Sequence, residues 1–322
     1  MIELRPYQTS NSDKAALILK EKRMVYMAME VRTGKTLTAF ATLQKVGATR
    51  CLFVTKKKAI PSIQKDAEAI GFEAEVVNYE SLHKVTERFK YIVIDEAHCI
   101  GSFPKPSLRH KQLKAMIDQN TYVILLSGTP SPESYSQLYH QFSLHPFNPF
   151  HKYTNFYKWA ASFVNKKVKY IGTGQTTNDY SDARWKDIHP IIAPYMIDYT
   201  QEQAGFTQTI IEDILLVSMK PSTYAMAKAI MKHGVYEGKT DVILADTGVK
   251  QQSKAHQIFG GTVIGENGTY TIDDTKVRAI IRKFAGRKIA VFTVYQQEAD
   301  MVRSLIPNCV NTPEAFNSDP TA

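Results

Sequence analysis

Apolar positions along this chain fall into short unbroken runs, separated by stretches where they recur at every third or fourth residue. Val25 to Ala28, Cys51 to Thr55, Ala74 to Val77, Tyr91 to Ile94 and Tyr122 to Leu126 read as strands. Tyr91 to Ile94 is a continuous apolar run of the kind that a strand buried on both faces of a parallel sheet requires. Between the runs, Ser12 to Lys22, Lys35 to Val46 and Ser62 to Ile70 carry helical spacing, the last opened by Pro61. Residues 4 to 8, just before the first helical stretch, read as a turn. Strand and helix alternate, which predicts an α/β fold with a parallel sheet and right-handed crossovers.

The pattern changes between Pro146 and Ala193. Phe147, Phe150, Tyr153, Phe156, Tyr157, Trp159 and Phe163 precede Lys166-Lys167-Val168-Lys169-Tyr170. We read a helical insertion over about 146–193, with a loop rich in Gly, Thr and Asn from Gly172 to Asp182. Its aromatics suit either a small satellite core or a basic, aromatic surface facing nucleic acid. Beyond it, Ile210 to Met219 reads as a strand, Pro221 to His233 as a helix, Lys288 to Thr293 as a buried strand and Gln296 to Leu305 as a helix. This is the start of a second α/β unit. Only fifteen residues follow Pro307, with no element to close a sheet, so the chain is expected to stop inside that unit. The expected boundaries are 1–205 and 206–322.

Chemistry enters at the strand ends. Gly34-Lys35-Thr36 lies where the first strand gives way to a helix. There glycine admits phosphate to the backbone, helix N-terminal amides face the anion, lysine adds charge and threonine can ligate magnesium. Taken alone this three-residue match is more often a solvated turn than a phosphate site, and Met29 stands where the usual phosphate loop begins with glycine. Asp95-Glu96 follows the Tyr91 to Ile94 run directly, and two adjacent carboxylates at a buried strand end are costly unless they bind something. Ser127-Gly128-Thr129 follows the last strand. In an open parallel sheet all three segments reach one edge, where ligands bind.

Composition narrows the partners. The 322 residues are 43% hydrophobic and 22% charged, a globular balance with room for two cores, and the net charge of +9 suits a polyanion. Cys51, Cys99 and Cys309 are odd in number and far apart, unlike a disulfide framework or a zinc site. No apolar run approaches the roughly 20 residues of a membrane span, and the N-terminus lacks a signal-peptide layout. The expectation is a cytoplasmic protein that does not engage membranes.

With these residues in place, the chain resembles the superfamily 2 helicases, and within them the Swi/Snf-type double-stranded DNA translocases with their short phage and bacterial relatives. Leu4-Arg5-Pro6-Tyr7-Gln8 resembles the Q motif, Glu30 through Thr36 motif I (Walker A), Phe53-Val54-Thr55-Lys56 motif Ia and Asn78-Tyr79-Glu80-Ser81-Leu82 motif Ib. Asp95-Glu96-Ala97-His98 is similar to the Walker B box in its DEAH form, and Ser127-Gly128-Thr129-Pro130 to motif III. Ile192 to Met196 resembles the segment closing the first domain, and Ala290 to Thr293 motif IV.

The resemblance implies a RecA-like P-loop NTPase fold, ATP and Mg²⁺ as cofactors, and DNA, preferably duplex, as partner. It implies that Gln8, with Arg5, reads adenine, and that Glu30, Arg32, Thr33 and Gly34 shape the phosphate loop. Lys35 would bind the β and γ phosphates, Thr36 and Asp95 the metal, and Glu96 the attacking water. His98, Ser127, Gly128 and Thr129 would couple hydrolysis to DNA. Thr55, Lys56 and Tyr79 would touch DNA backbone without reading sequence. Arg32 departs from the family's glycine. Motifs V and VI, with their arginine, would lie beyond Ala322, so feeble hydrolysis is expected unless a further segment or partner polypeptide completes the second unit. The alternatives are a strand-separating helicase, a DNA-binding ATPase-like module without motor activity and, less well supported, a P-loop kinase.

Overall fold

The computed structural model describes residues 3–171, 175–207, 211–238 and 241–318. The chain forms two compact units, Met1–Thr209 and Ile210–Ala322.

The first unit begins with α1 (Pro6–Lys22), which starts earlier than its apolar spacing indicates because Pro6 sits in the first turn and the Gln8 side chain accepts from the Arg5 amide at 2.8 Å. Next come β1 (Met24–Met29), α2 (Lys35–Lys45), β2 (Arg50–Thr55), α3 (Ile60–Ile70), β3 (Glu73–Asn78), β4 (Tyr91–Ile94), α4 (Leu108–Met116), β5 (Tyr122–Leu126) and α5 (Gln137–Phe142). The unit ends with α6 (Phe156–Phe163), β6 (Lys167–Ile171), β7 (Gln175–Asp179), α7 (Trp185–Ile192) and β8 (Met196–Tyr199). Six strands make one sheet, ordered β3-β2-β4-β5-β1-β8 and parallel throughout.

Alternation along each strand sorts the apolar runs onto two faces. Met24, Tyr26, Leu52, Val54, Ile92, Ile94, Val123 and Leu125 join one core. Val25, Met27, Cys51, Phe53, Val93, Ile124 and Leu126 join the other, with Leu19, Phe40, Leu43 and Ile63 from α1, α2 and α3. The aromatics of the insertion divide: they form no separate satellite core, and Phe147, Tyr157 and Tyr170 stay exposed. Phe150, Phe156, Trp159 and Phe163 are buried in the first of these cores, continuous with the sheet. Nor is the stretch from Gly172 to Asp182 all loop. Gln175–Asp179 pairs antiparallel with Lys167–Ile171, while residues 172–174 lie outside the described residues. Its polar composition hides a hairpin in which Val168 and Tyr170 stand exposed.

The second unit contains α8 (Pro221–His233), the hairpin β9 (Val235–Glu237) with β10 (Val242–Leu244), α9 (Gly248–Phe259), the hairpin β11 (Thr262–Ile264) with β12 (Thr269–Thr271), α10 (Thr275–Lys283), α11 (Gln296–Leu305) and α12 (Pro313–Ser318). Ala227, Ile230, Ile243, Ala245, Ile258 and Val263 form its main core. Two expected strands are absent among the described residues. Residues 211–219 and 288–293 carry no regular structure, and Leu216 and Phe292 stand 87% and 95% exposed. Residue 210, the first of the expected run, lies outside the described residues. An apolar run becomes a strand only where a neighbour pairs its backbone groups, and no described strand lies beside either segment.

Candidate active site

The parallel sheet delivers its strand ends to one edge, and the sequence of each end sets what is presented there. After β1 the backbone turns sharply: Arg32 and Gly34 both take left-handed conformations, with φ of 63° and 78°. At Gly34 the space beside the backbone is also filled. An added Cβ would lie 2.0 Å from Gln8 Nε2, so the buried Gln8 side chain is packed directly on the loop. Thr33 is buried and its hydroxyl donates to the Glu30 carbonyl at 2.7 Å, which closes the loop on itself. The Glu30 carboxylate accepts from the Gln201 amide at 2.7 Å, in the segment after β8. Arg32 is exposed. Arg5 is also exposed and donates to the Tyr7 hydroxyl at 3.3 Å.

Lys35 opens α2, with Thr36 beside it in the first turn. The Lys35 ammonium donates to the carbonyls of Met29 (2.8 Å) and Glu30 (3.0 Å), and a Cβ at Gly128 would lie 3.6 Å from it. The loop after β5 therefore packs in ordinary contact with the lysine. Burial pulls the Lys35 pKa down, opposed by the carboxylates of Asp95, Glu96 and Glu30. A cation held on its own loop's carbonyls, beside helix N-terminal amides, is poised for an anion.

The two carboxylates after β4 have different surroundings. Asp95 is largely buried, and its Oδ2 accepts from the Thr55 hydroxyl at 2.7 Å while its carbonyl accepts from Tyr79. Burial raises its pKa and the Thr55 bond opposes that rise. Glu96 follows with φ 51° and ψ 48°, a left-handed conformation costing about 1–2 kcal/mol for a residue with a Cβ. That turn carries its carboxylate to the rim, with Oε2 3.3 Å from His98 Nδ1 and Oε1 3.9 Å from Lys56 Nζ. His98 Nδ1 is also 3.1 Å from Ser127 Oγ, which accepts from the Thr129 amide at 3.2 Å. Burial lowers the His98 pKa, with Glu96 opposing.

The edge therefore gathers Gln8, Gly34, Lys35 and Gly128 in one patch, Asp95 beside Thr55 in a second, and Glu96, His98, Ser127 and Lys56 in a third. Two expected DNA contacts are corrected. Thr55 is wholly buried and Tyr79 only 2% exposed; both hydroxyls are engaged by Asp95, so neither side chain is free to meet a phosphate. Lys56 is exposed. The sequence reading also missed Tyr26 and Gln141. The Tyr26 hydroxyl donates to Gln141 Oε1 at 2.7 Å inside the core, and Gln141 Nε2 donates to the Pro130 carbonyl at 2.8 Å, which fixes the loop after β5 from behind. The available signal was a tyrosine in an apolar strand and a glutamine in a buried helix, each of which needs a partner.

Comparison with known proteins bears on this arrangement. The family described as "SNF2-related domain" matches residues 37–262. The SWI2/SNF2 ATPase core of Sulfolobus solfataricus, solved in complex with dsDNA, is similar over 94% of this chain and 69% of its own, at 18% identity and a TM-score of 0.51. At that identity the likeness establishes the fold alone, a RecA-like α/β core. Two type ISP restriction-modification enzymes also align: a nuclease-deletion mutant of LlaGI with a DNA substrate mimic and LlaBIII bound to DNA. They share 14% identity, with TM-scores of 0.29 and 0.33, over 40% and 63% of this chain but only 18% and 15% of theirs. No curated protein matches the sequence.

Proposed function

This chain belongs to the SNF2-related family of superfamily 2 helicase-like proteins, and on that premise we propose that it is an ATP-dependent motor acting on duplex DNA. The observation that carries the reading is that Lys35, after β1, and Asp95 and Glu96, after β4, lie at the same edge of one parallel sheet on either side of β5, with a separate environment for each carboxylate. The oxygens of Thr36 and Asp95 are the hard donors magnesium prefers, and a largely buried carboxylate held by the Thr55 hydroxyl and the Glu96 backbone suits a cation partner. Bound magnesium would neutralise charge developing on the phosphates. Lys35 would leave its loop carbonyls for the β and γ phosphates, and Gln8 would orient the base. Glu96, at the rim and beside His98, would position the attacking water. The link from Glu96 through His98 to Ser127 would report the γ phosphate to the loop held by Gln141. Lys56, exposed and next to Glu96, is the proposed contact to DNA backbone, indifferent to sequence as a translocating motor requires.

The test is ATP hydrolysis with and without duplex DNA, in the parent and in Glu96→Gln. Duplex DNA should accelerate the parent. The variant should keep ATP affinity while losing about 10²-fold or more of its rate, the usual share of a positioned general base. Triplex displacement without fork unwinding would mark translocation. Hydrolysis indifferent to DNA would overturn the motor reading.

A further inference from the structure

Arg32 holds a left-handed conformation, φ 63°, two residues before the glycine at φ 78° on which the turn into α2 depends. For a residue with a Cβ that region is unfavourable, and it persists only where the surroundings fix both flanks of the residue. On the C-terminal flank the fixing contact is local: Thr33 is buried and its hydroxyl donates to the Glu30 carbonyl. On the N-terminal flank it comes from 170 residues farther along the chain.

Gln201 supplies it. The Gln201 amide donates to Glu30 Oε2 at 2.7 Å and its side-chain Nε2 donates to the Val31 carbonyl at 3.0 Å. The Glu30 amide donates to the Tyr199 carbonyl at 2.9 Å, which continues the pairing of β1 with β8 into the loop. Gln201 is itself fixed by the turn that follows β8. The Thr200 amide donates to Gln203 Oε1 at 2.9 Å and the Gln203 amide to Thr200 Oγ1 at 3.2 Å; the Tyr199 hydroxyl donates to the Gln203 carbonyl at 2.9 Å, and the Phe206 amide to the Gln201 carbonyl at 3.0 Å. The Tyr199 ring also stacks on Tyr7, with centroids 4.9 Å apart, next in sequence to the Gln8 that packs on Gly34. The phosphate loop is therefore gripped from two sides, by the start of α1 and by the turn after β8. Glu30 is where the second grip meets the chemistry: its carbonyl and that of Met29 accept from Lys35 Nζ, so whatever fixes the Glu30 backbone also sets where the ammonium waits.

We propose that Gln201 is a positioning residue of the phosphate loop: by holding the Glu30 carboxylate and the Val31 carbonyl it keeps Arg32 in its left-handed turn, and the loop in the shape that receives a nucleoside triphosphate. The inference rests on the ATP-binding reading above and adds to it a residue outside every segment that carries that reading. Glycine takes a left-handed conformation freely, so a loop with glycine in place of Arg32 does not need the hold. The dependence on Gln201 is thus tied to the arginine this chain has at that turn.

The test is a double-mutant cycle on the full chain, Gln201→Ala and Arg32→Gly singly and together, read by the affinity of a fluorescent ATP analogue. Trypsin nicking after Arg32 in the Gln201→Ala chain and the parent is a second readout that needs no nucleotide: Arg32 is exposed and Thr33 buried, so cleavage between them requires the loop to open. Gln201→Ala should weaken the analogue about fivefold, and speed release of the fragment ending at Arg32 by a similar factor, the worth of about one net hydrogen bond. In the Arg32→Gly background the same substitution should change affinity by less than about twofold, whereas a general loss of stability would weaken binding equally in both backgrounds. Nicking at the parent rate, unchanged affinity, or the full loss persisting in the Arg32→Gly background would each overturn the proposal. If the parent itself binds no ATP analogue, it is the reading of the loop as an ATP site that fails, and the nicking rate alone decides whether Gln201 holds the loop.

Discussion

Thr55→Val removes one hydroxyl at almost constant volume from the most enclosed part of the strand-end site. That hydroxyl donates to Asp95 Oδ2 at 2.7 Å, and Thr55 itself is wholly buried. No water can replace it in place, so the loss is that of a hydrogen bond to a charged group, about 1.5–3 kcal/mol. For a unit of roughly 200 residues this lowers the unfolding temperature by about 3–12 °C. Burial already raises the Asp95 pKa and the Thr55 bond holds it down, so the variant's Asp95 titrates higher still. The penalty is full where Asp95 is ionised in the folded chain, and shrinks as pH falls through its raised pKa, because a protonated carboxyl loses only a neutral hydrogen bond. Both tryptophans, Trp159 and Trp185, lie in the first unit, so thermal unfolding followed by tryptophan fluorescence reads that unit alone. Thr55→Ser, which keeps the donor, should recover most of the loss. An unchanged melting temperature near neutral pH, or a loss that does not depend on pH, would refute the reasoning. Since Thr55 is buried, the salt dependence of DNA binding should stay as in the parent.

Gly34→Ala places a Cβ 2.0 Å from Gln8 Nε2 at a φ of +78°; the backbone strain alone costs about 1–2 kcal/mol, and titration with a fluorescent ATP analogue should show at least tenfold weaker binding, about the equivalent of 1.4 kcal/mol. Lys56→Gln should weaken duplex binding equally for all sequences and reduce the slope of log affinity against log salt by about 1; an unchanged slope would place the DNA elsewhere. Burial, with help from His140 and Lys114, lowers the His110 pKa from 6.5 to about 3. The unfolded chain therefore binds the extra proton between those values, and stability present above pH 6.5 is lost as pH falls toward 3. In His110→Phe, denaturant unfolding across that window should show a pH slope shallower by about 1.4 kcal/mol per unit, and an identical slope would mean His110 is not buried as a neutral ring.

The sequence by itself determined the parallel sheet and the strand ends that build the site. β1, β4 and β5 carry unbroken apolar runs and each functional segment follows its run closely, so local pattern and position along the chain were sufficient for Lys35, Asp95, Glu96 and Ser127, whereas β8, Met196–Tyr199, with Asp198 inside it, gave no such run. Only the tertiary structure decided what those segments touch. Gln8 lies on Gly34 because α1 starts early and crosses beside the loop; Thr55 and Tyr79 turn inward to Asp95 because β2 and β3 end level with β4; Gln141 holds the Pro130 loop through a partner 115 residues away, Tyr26. The apolar segments 211–219 and 288–293 carry strand-like sequence and are not strands, while the polar stretch after Gly172 partly is. Apolar periodicity reports the wish to be buried, but a strand also needs a neighbour to pair its backbone, and which neighbour is present is a property of the whole fold.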